Sequence, residues 1–232
     1  MRQAAESTLR DVAIFKGLPA GDRSRFERLC TFRTYPRGKT IVHMRDKTRE
    51  VFFLISGRAR VIMYSLAGKP VSFREIGPGE MFGEFAAIDN GPRSTGVEVL
   101  EGSLVASASA PDFRAMLRAH PLVMEAVLVR VVAQIRALTT RVFEFSTQAV
   151  NNRIDAEILR LAKAVGIRGR QAHIVAFPKH GEIASRISTH REAVTRRLSY
   201  LEKKQLIQRS GTTLIVNDLS ELESMVQEAV GE

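Results

Sequence analysis

The sequence predicts an α+β chain built as a β jelly roll, one long helix and a small helical unit that ends in a hairpin. Three observations carry that prediction. Between Thr31 and Ala108, short runs rich in Val, Ile, Phe and Thr are punctuated by Gly38, Gly57, Gly68, Gly77, Gly79, Gly83, Gly91, Gly96 and Gly102. From Leu128 to Phe145, apolar residues recur every three or four positions. From Gly181 to Leu206, two short helical patterns flank the turn Ser188-Thr189-His190.

At the N-terminal end, Leu9 to Leu29 has helical spacing interrupted by the turn Gly17-Leu18-Pro19-Ala20-Gly21. Runs such as Val51-Phe52-Phe53-Leu54-Ile55 and Ala59-Arg60-Val61-Ile62-Met63-Tyr64 then read as short antiparallel strands between turns. Strands spaced this regularly predict a sandwich or jelly roll. At Pro111 the period becomes helical, and a longer helix follows His120-Pro121. Its residues Leu128, Val131, Ile135, Leu138, Val142 and Phe145 form a heptad seam, which predicts pairing with a second helix. Val123, Val127 and Val132 make other faces apolar, so this helix needs partners on several sides.

Phe143 to Thr147 reads as a junction. Ser146 or Thr147 is expected to cap a helix from about Ala149 to Val165, closed by Gly166 and Gly169. A hairpin from Leu206 to Val216, turning at Ser210-Gly211, and a short helix from Asp218 to Val230 complete the chain. The expected domains are 1–120, then 121–146 for the long helix and hinge, then 147–232.

Composition narrows the function. Of 232 residues, 44% are hydrophobic and 26% charged, as in soluble globular proteins, and the length suffices for one large or two modest cores. The apolar stretch Leu122 to Val142 is broken by Glu125, Arg130, Arg136 and Arg141, so no membrane partner is expected. The start Met1-Arg2-Gln3 lacks a signal-peptide core, and the cytoplasm is the expected location. Cys30 is the single cysteine and cannot build a disulfide, a cluster or a zinc site alone. No hydrolase triad, metal spacing or phosphate loop of an enzyme is present. The net charge of +10 favours a polyanionic partner. Pro178 to Ser210 carries much of it, in Lys179, Arg186, Arg191, Arg196, Arg197, Lys203, Lys204 and Arg209, whereas Gly211 onward holds only acids.

Two stretches carry chemistry. Gly79 to Thr95 reads Gly-Glu-Met-Phe-Gly-Glu-Phe-Ala-Ala-Ile-Asp-Asn-Gly-Pro-Arg-Ser-Thr. Gly83 lets backbone approach a ligand closely. Glu84 accepts hydrogen bonds from sugar hydroxyls. Arg93 offers a fork that suits phosphate oxygens, and Ser94 with the N–H groups after Pro92 supplies further donors. In the second stretch, Val194, Leu198 and Leu201 fall at i, i+4 and i+7 and face inward. Arg191, Glu192, Thr195 and Arg196 therefore project outward near a helix N-terminus. That is the layout of a helix-turn-helix, whose second helix reads the major groove.

Phe82-Gly83-Glu84, a short helical turn and Pro92-Arg93-Ser94 resemble the phosphate-binding cassette of cyclic-nucleotide-binding domains. Arg191-Glu192-x-Val194-x-Arg196, with Leu198-x-x-Leu201-Glu202 and Leu206-Ile207, resembles the winged helix-turn-helix of the CRP/FNR transcription regulators, the family of the cyclic-AMP receptor protein. The resemblance runs from about Ile14 to Val216. It implies Gly83 and Glu84 at a ribose, Arg93 and Ser94 at a cyclic phosphate, and Phe73 and Arg74 lining the base. An ungapped count from Pro121 places Leu138-Thr139 at the family's base-reading pair, and a shift of one places Thr139-Thr140 there. The choice between cyclic AMP and cyclic GMP stays open on that register. Lys179, Thr189 and His190 join Arg191, Glu192, Thr195 and Arg196 in the implied DNA-binding set, with the hairpin as the wing. The resemblance further implies a homodimer along the seam, double-stranded DNA with a palindromic site, and RNA polymerase as a partner. Cyclic AMP is the implied allosteric ligand, and no metal or haem is expected.

Overall fold

The computed structural model describes residues 9–65, 68–166 and 170–228. Met1-Arg2-Gln3, the helix-closing Gly169 and the end of the last expected helix at Val230 lie outside them. The chain forms two compact units, Met1–Gln134 and Ile135–Glu232.

The first unit opens with two 3-10 turns, Leu9–Asp11 and Ala13–Phe15, and helix α1 (Ala20–Glu27). Strands β1 (Thr31–Tyr35), β2 (Thr40–Val42), β3 (Val51–Tyr64), β4 (Pro70–Ile76) and β5 (Met81–Phe82) follow. Helix α2 (Glu84–Asp89), strand β6 (Gly96–Ala108), helix α3 (Ala110–Ala119) and the start of helix α4 (Pro121–Thr147) complete it. The antiparallel order is β1-β6-β3-β4, with β2 also on β6 and β5 also on β3. Both long strands bend where their register slips, between Leu54 and Ala59. Gly57 permits the bend: its φ is +89°, and a Cβ there would lie 2.5 Å from Gly102 O. Curving the strands lets one sheet wrap two apolar clusters, as a jelly roll requires.

One cluster gathers Phe15, Phe26, Phe53 and Phe113 with Val123 and Val127 of α4. The Phe15–Phe26 and Phe26–Phe53 rings meet edge to face, at 5.6 and 6.1 Å between centroids. The other lies under the cassette, where Phe52 stacks on Phe82 at 5.0 Å. Helix α3 begins as the Pro111-Asp112 pattern predicts, with Ser109 accepting from Asp112 N–H at 3.2 Å.

In the second unit come α5 (Val150–Val165), β7 (Ala172–Ile174), α6 (His180–Arg186), α7 (Arg191–Lys203), β8 (Ile207–Ser210), β9 (Thr213–Val216) and α8 (Leu219–Glu228). Strand β9 lies between β7 and β8, so the expected hairpin gains a third strand. Ile154, Ile158, Ile183, Val194, Leu198, Leu201 and Leu222 form the core. The predicted inward stripe of α7 is fully buried. The turn between α6 and α7 needs a left-handed residue, Ser188 at φ +53°, which lets Thr189 N–H reach Ala184 O at 2.9 Å.

The expected junction is corrected. Helix α4 runs on through Thr147, and Ala149, not Ser146 or Thr147, is the N-cap of α5. Ser146 Oγ donates to Val142 O of its own helix at 2.8 Å, so its hydroxyl is satisfied without capping. Gly166, at φ +83°, closes α5 as expected.

Candidate ligand site and nucleic-acid interface

The cassette sits where β5 passes into α2. Gly83 is the N-cap of α2 with φ +78°, a conformation that glycine adopts without strain. The turn it makes sinks Glu84, the first helical residue, to 4% exposure. Arg93 is equally deep, at 3%. Four protein oxygens hold its guanidinium. Nε donates to Thr48 Oγ1 at 3.1 Å, one terminal nitrogen to Gly83 O at 2.9 Å, and the other to Glu50 O at 2.8 Å and, as an ion pair, to Glu50 Oε2 at 3.5 Å. The Phe52 ring lies 5.3 Å away. Burial pushes the Arg93 guanidinium below its ordinary pKa, against the pull of Glu50, Asp46 and Glu84. It stays a cation under any physiological condition. Arginine carries five N–H donors, and these four bonds leave one, on the terminal nitrogen bonded to Gly83 O, for an anion.

Two site expectations are altered by this geometry. The backbone N–H of Arg93 is committed to Asp46 O at 3.0 Å, so it is no spare donor. Phe82 is buried in the core stack, where it supports the cassette floor. Ser94 follows Arg93 and is exposed. Phe73 falls where the β3–β4 register slips, half-buried. Arg74 donates to Glu80 Oε1 at 3.1 Å and Met81 O at 3.2 Å, a clamp on the turn before β5.

Helix α4 contributes two residues that sequence patterns did not single out. Arg130 donates to the same Glu80 Oε1 at 2.8 Å and to Met81 O at 3.0 Å. One turn later, Gln134 donates to Glu84 Oε1 at 3.1 Å. Burial, and then the Arg130 charge, push Arg74 below its ordinary pKa. A trace existed in the sequence: Arg130 and Gln134 are polar residues at i and i+4 within an apolar helix. Thr139 and Thr140 belong to the second unit, where their exposed hydroxyls donate to Ile135 O and Arg136 O at 3.0 and 3.1 Å. The seam residues Leu128, Ile135 and Val142 are 58%, 56% and 64% exposed.

On the second unit, Arg191, Glu192, Thr195 and Arg196 are all exposed on α7, beside His190. Lys179 is exposed ahead of α6, and its N–H is capped by Glu182 Oε2 at 2.9 Å. Thr189 is buried and serves the turn. Arg197 faces the other way. Its Nε donates to the buried Asp155 Oδ1 at 2.9 Å, which ties α7 to α5, and that hydrogen bond holds the guanidinium above its ordinary pKa. Glu157, also buried, accepts from Arg186 of α6 at 3.1 Å and from Arg160. Arg160 in turn reaches Glu144 at 3.3 Å. Among the described residues, no group of His, Cys, Asp and Glu is placed to hold a metal ion, and no helix is long and apolar enough to cross a membrane.

Residues 32–120 match the cyclic nucleotide-binding domain family, and residues 152–225 match the Crp-like helix-turn-helix domain. The chain is 27% identical over 194 residues to the cyclic AMP receptor protein of Thermus thermophilus, across 83% of this chain and 87% of that relative. It is 24% identical over 188 residues to the cAMP-activated global transcriptional regulator CRP of Escherichia coli, across 81% and 90%. The solved structure of the c-di-GMP responsive global regulator CLP of Xanthomonas campestris shares the fold, with a TM-score of 0.74 at 19% identity over 85% of this chain and 99% of that one. With a β-rich nucleotide-binding domain, a long helix and a helix-turn-helix in that order, the chain belongs to the CRP/FNR family of DNA-binding transcription regulators.

Proposed function

We propose that the chain is a homodimeric regulator that binds cyclic AMP in each cassette and then a two-fold symmetric DNA site. The observation that carries this reading is the buried pair of Glu84 and Arg93. A carboxylate acceptor for a ribose hydroxyl and a fixed cation for a cyclic phosphate meet at one glycine turn. The exposed seam of α4 supports the dimer, since a heptad of large apolar residues in water gains from pairing. Arg191, Glu192 and Arg196 suit base edges and phosphates, with RNA polymerase as the downstream partner.

The switch proposed is a population shift. Glu84 is tied to α4 through Gln134, so a ribose that bonds Glu84 acts on the helix that carries the seam. Ligand biases the equilibrium only by its difference in affinity for the two states. A second reading keeps the dimer and the DNA site and places a different effector in the cassette. It draws on the four bonds that already engage Arg93, one of them an ion pair with Glu50.

Calorimetry with cyclic AMP, cyclic GMP and c-di-GMP, paired with gel shifts on a symmetric site, separates the two. Cyclic AMP is expected to bind and to raise DNA affinity, and Arg93→Ala to weaken both effects. If DNA affinity of Arg93→Ala rises with cyclic AMP as it does in the parent chain, the cassette assignment is wrong.

A further inference from the structure

His180 stands at the start of α6, half-buried, and its ring crosses to α7. Its Nδ1 lies 2.8 Å from Thr195 Oγ1, and that same Oγ1 lies 3.0 Å from Arg191 O. A hydroxyl has one proton to give, and a carbonyl only accepts. The Thr195 proton therefore goes to Arg191 O, and Thr195 Oγ1 accepts from Nδ1–H of His180. This fixes the neutral tautomer and leaves Nε2 without a proton. The charged groups around the ring are Arg191 and Glu202 of α7 and Arg209 of β8. Thus one imidazole, on the first helix of the motif, is anchored to the recognition helix and sits beside Arg191 of that helix and the Arg209–Glu202 ion pair, 2.9 Å long, that joins it to the wing.

We propose that His180 is a proton-linked phosphate contact of the DNA-binding face, so that DNA binding takes up a proton from solvent at Nε2 and tightens as pH falls. The inference rests on the DNA-binding reading of α7. Protonation breaks no internal bond, because Nδ1–H stays on Thr195. It adds an N–H donor and a positive charge beside Arg191 and Arg209. In the free chain, burial first, and then Arg209 and Arg191, hold the imidazole below the ordinary histidine pKa, with Glu202 opposing. Glu202 already pairs with Arg209, and a phosphate adds a negative charge that offsets Arg191 and favours the imidazolium. The sign follows from linkage. The bound form has the higher pKa, so affinity is greatest below the free-chain value and declines as pH rises through the value in the complex.

The test uses the full chain with saturating cyclic AMP and a duplex that the chain itself selects from a random-sequence pool. Affinity is measured at about pH 5.5 and about pH 8, the range in which histidine titrates. The parent chain is expected to bind about fivefold tighter at the acidic end, equivalent to a pKa difference somewhat under one unit. Its log–log salt slope should be steeper there by about 0.9, the value for one more phosphate neutralised. His180→Gln should be weak at both pH values. His180→Arg, with a fixed charge, should be tight at both, which also shows that the position tolerates change. His173→Gln, on β7 and outside the DNA-binding set, should keep the pH response. Full retention of that response in His180→Gln overturns the proposal. If no duplex is selected at either pH, the DNA-binding reading itself fails.

Discussion

Gln134 of the long helix donates its side-chain amide to Glu84 Oε1 at 3.1 Å, so the carboxylate assigned to a ribose is held from α4. Replacing Gln134 by Ala leaves a buried carboxylate short of a donor, at a cost of about 1–3 kcal/mol. A ribose hydroxyl donating to the same oxygen restores part of that loss. Thermal melts should show Gln134→Ala well below the parent without cyclic AMP, and the gap should narrow with it. A gap that stays constant would remove Glu84 from the ribose.

Gly83→Ala attacks the cassette at its tightest point. A Cβ there would lie 2.8 Å from a terminal nitrogen of Arg93, 3.1 Å from the Phe52 ring and 3.2 Å from Glu50 O. The positive φ adds strain of order 1 kcal/mol or more. We expect loss of measurable cyclic AMP binding by calorimetry, with the helical circular dichroism of the second unit preserved. Parent-like binding would mean that Arg93 is not positioned from Gly83.

Asp155→Ala removes the buried carboxylate from the half-buried Arg197. Breaking one side of such a pair costs about 3–5 kcal/mol, whereas replacing both sides by apolar residues is often neutral. Asp155→Ala should abolish DNA binding in gel shifts and leave cyclic AMP affinity in place. The double variant Asp155→Leu/Arg197→Met should recover DNA binding. If the double variant is as defective as the single, Arg197 has a role beyond anchoring α7.

Cys30 should behave as an inert thiol. Burial, with Glu27 and Asp112 adding to it, pushes its pKa up to about 12, and its S–H points to Phe26 O at 3.5 Å. Only the thiolate attacks, so alkylation near neutral pH should be on the order of a thousandfold slower in the folded chain than in denaturant. The folded-chain rate should climb with pH toward that value. Equal folded and unfolded rates would disprove the assignment.

Much of this was legible in the sequence because it is written locally. Glycine-punctuated β runs, the 3-and-4 spacing of Val194, Leu198 and Leu201, and Gly83-Glu84 through Arg93-Ser94 all lie within short windows. What stayed hidden joins residues far apart. Arg93 is held by Thr48 and Glu50, Glu84 by Gln134, and Arg197 by Asp155. The spacing of Arg130 and Gln134 marks a polar face on α4, but no periodicity names the distant partner in any of these pairs. Strand β7, three residues long, depends on β9 for its existence. At Ser146 a real capping preference was overridden, because a hydroxyl inside a helix can turn back to its own carbonyl. Phe82 was singled out with the motif, yet its ring belongs to the floor beneath it.

The hold on Arg93 has a consequence for engineering. Arg93 and Gly83 come from the cassette, but Thr48, Glu50 and Asp46 come from the loop before β3, and Arg45 N–H closes the stitch on Arg93 O at 2.8 Å. The part proposed to bind phosphate is therefore discontinuous. Transplanting Gly79–Thr95 into another scaffold moves the letters of the motif and leaves its anchorage behind. A chimera that works must carry residues 45–50 with it.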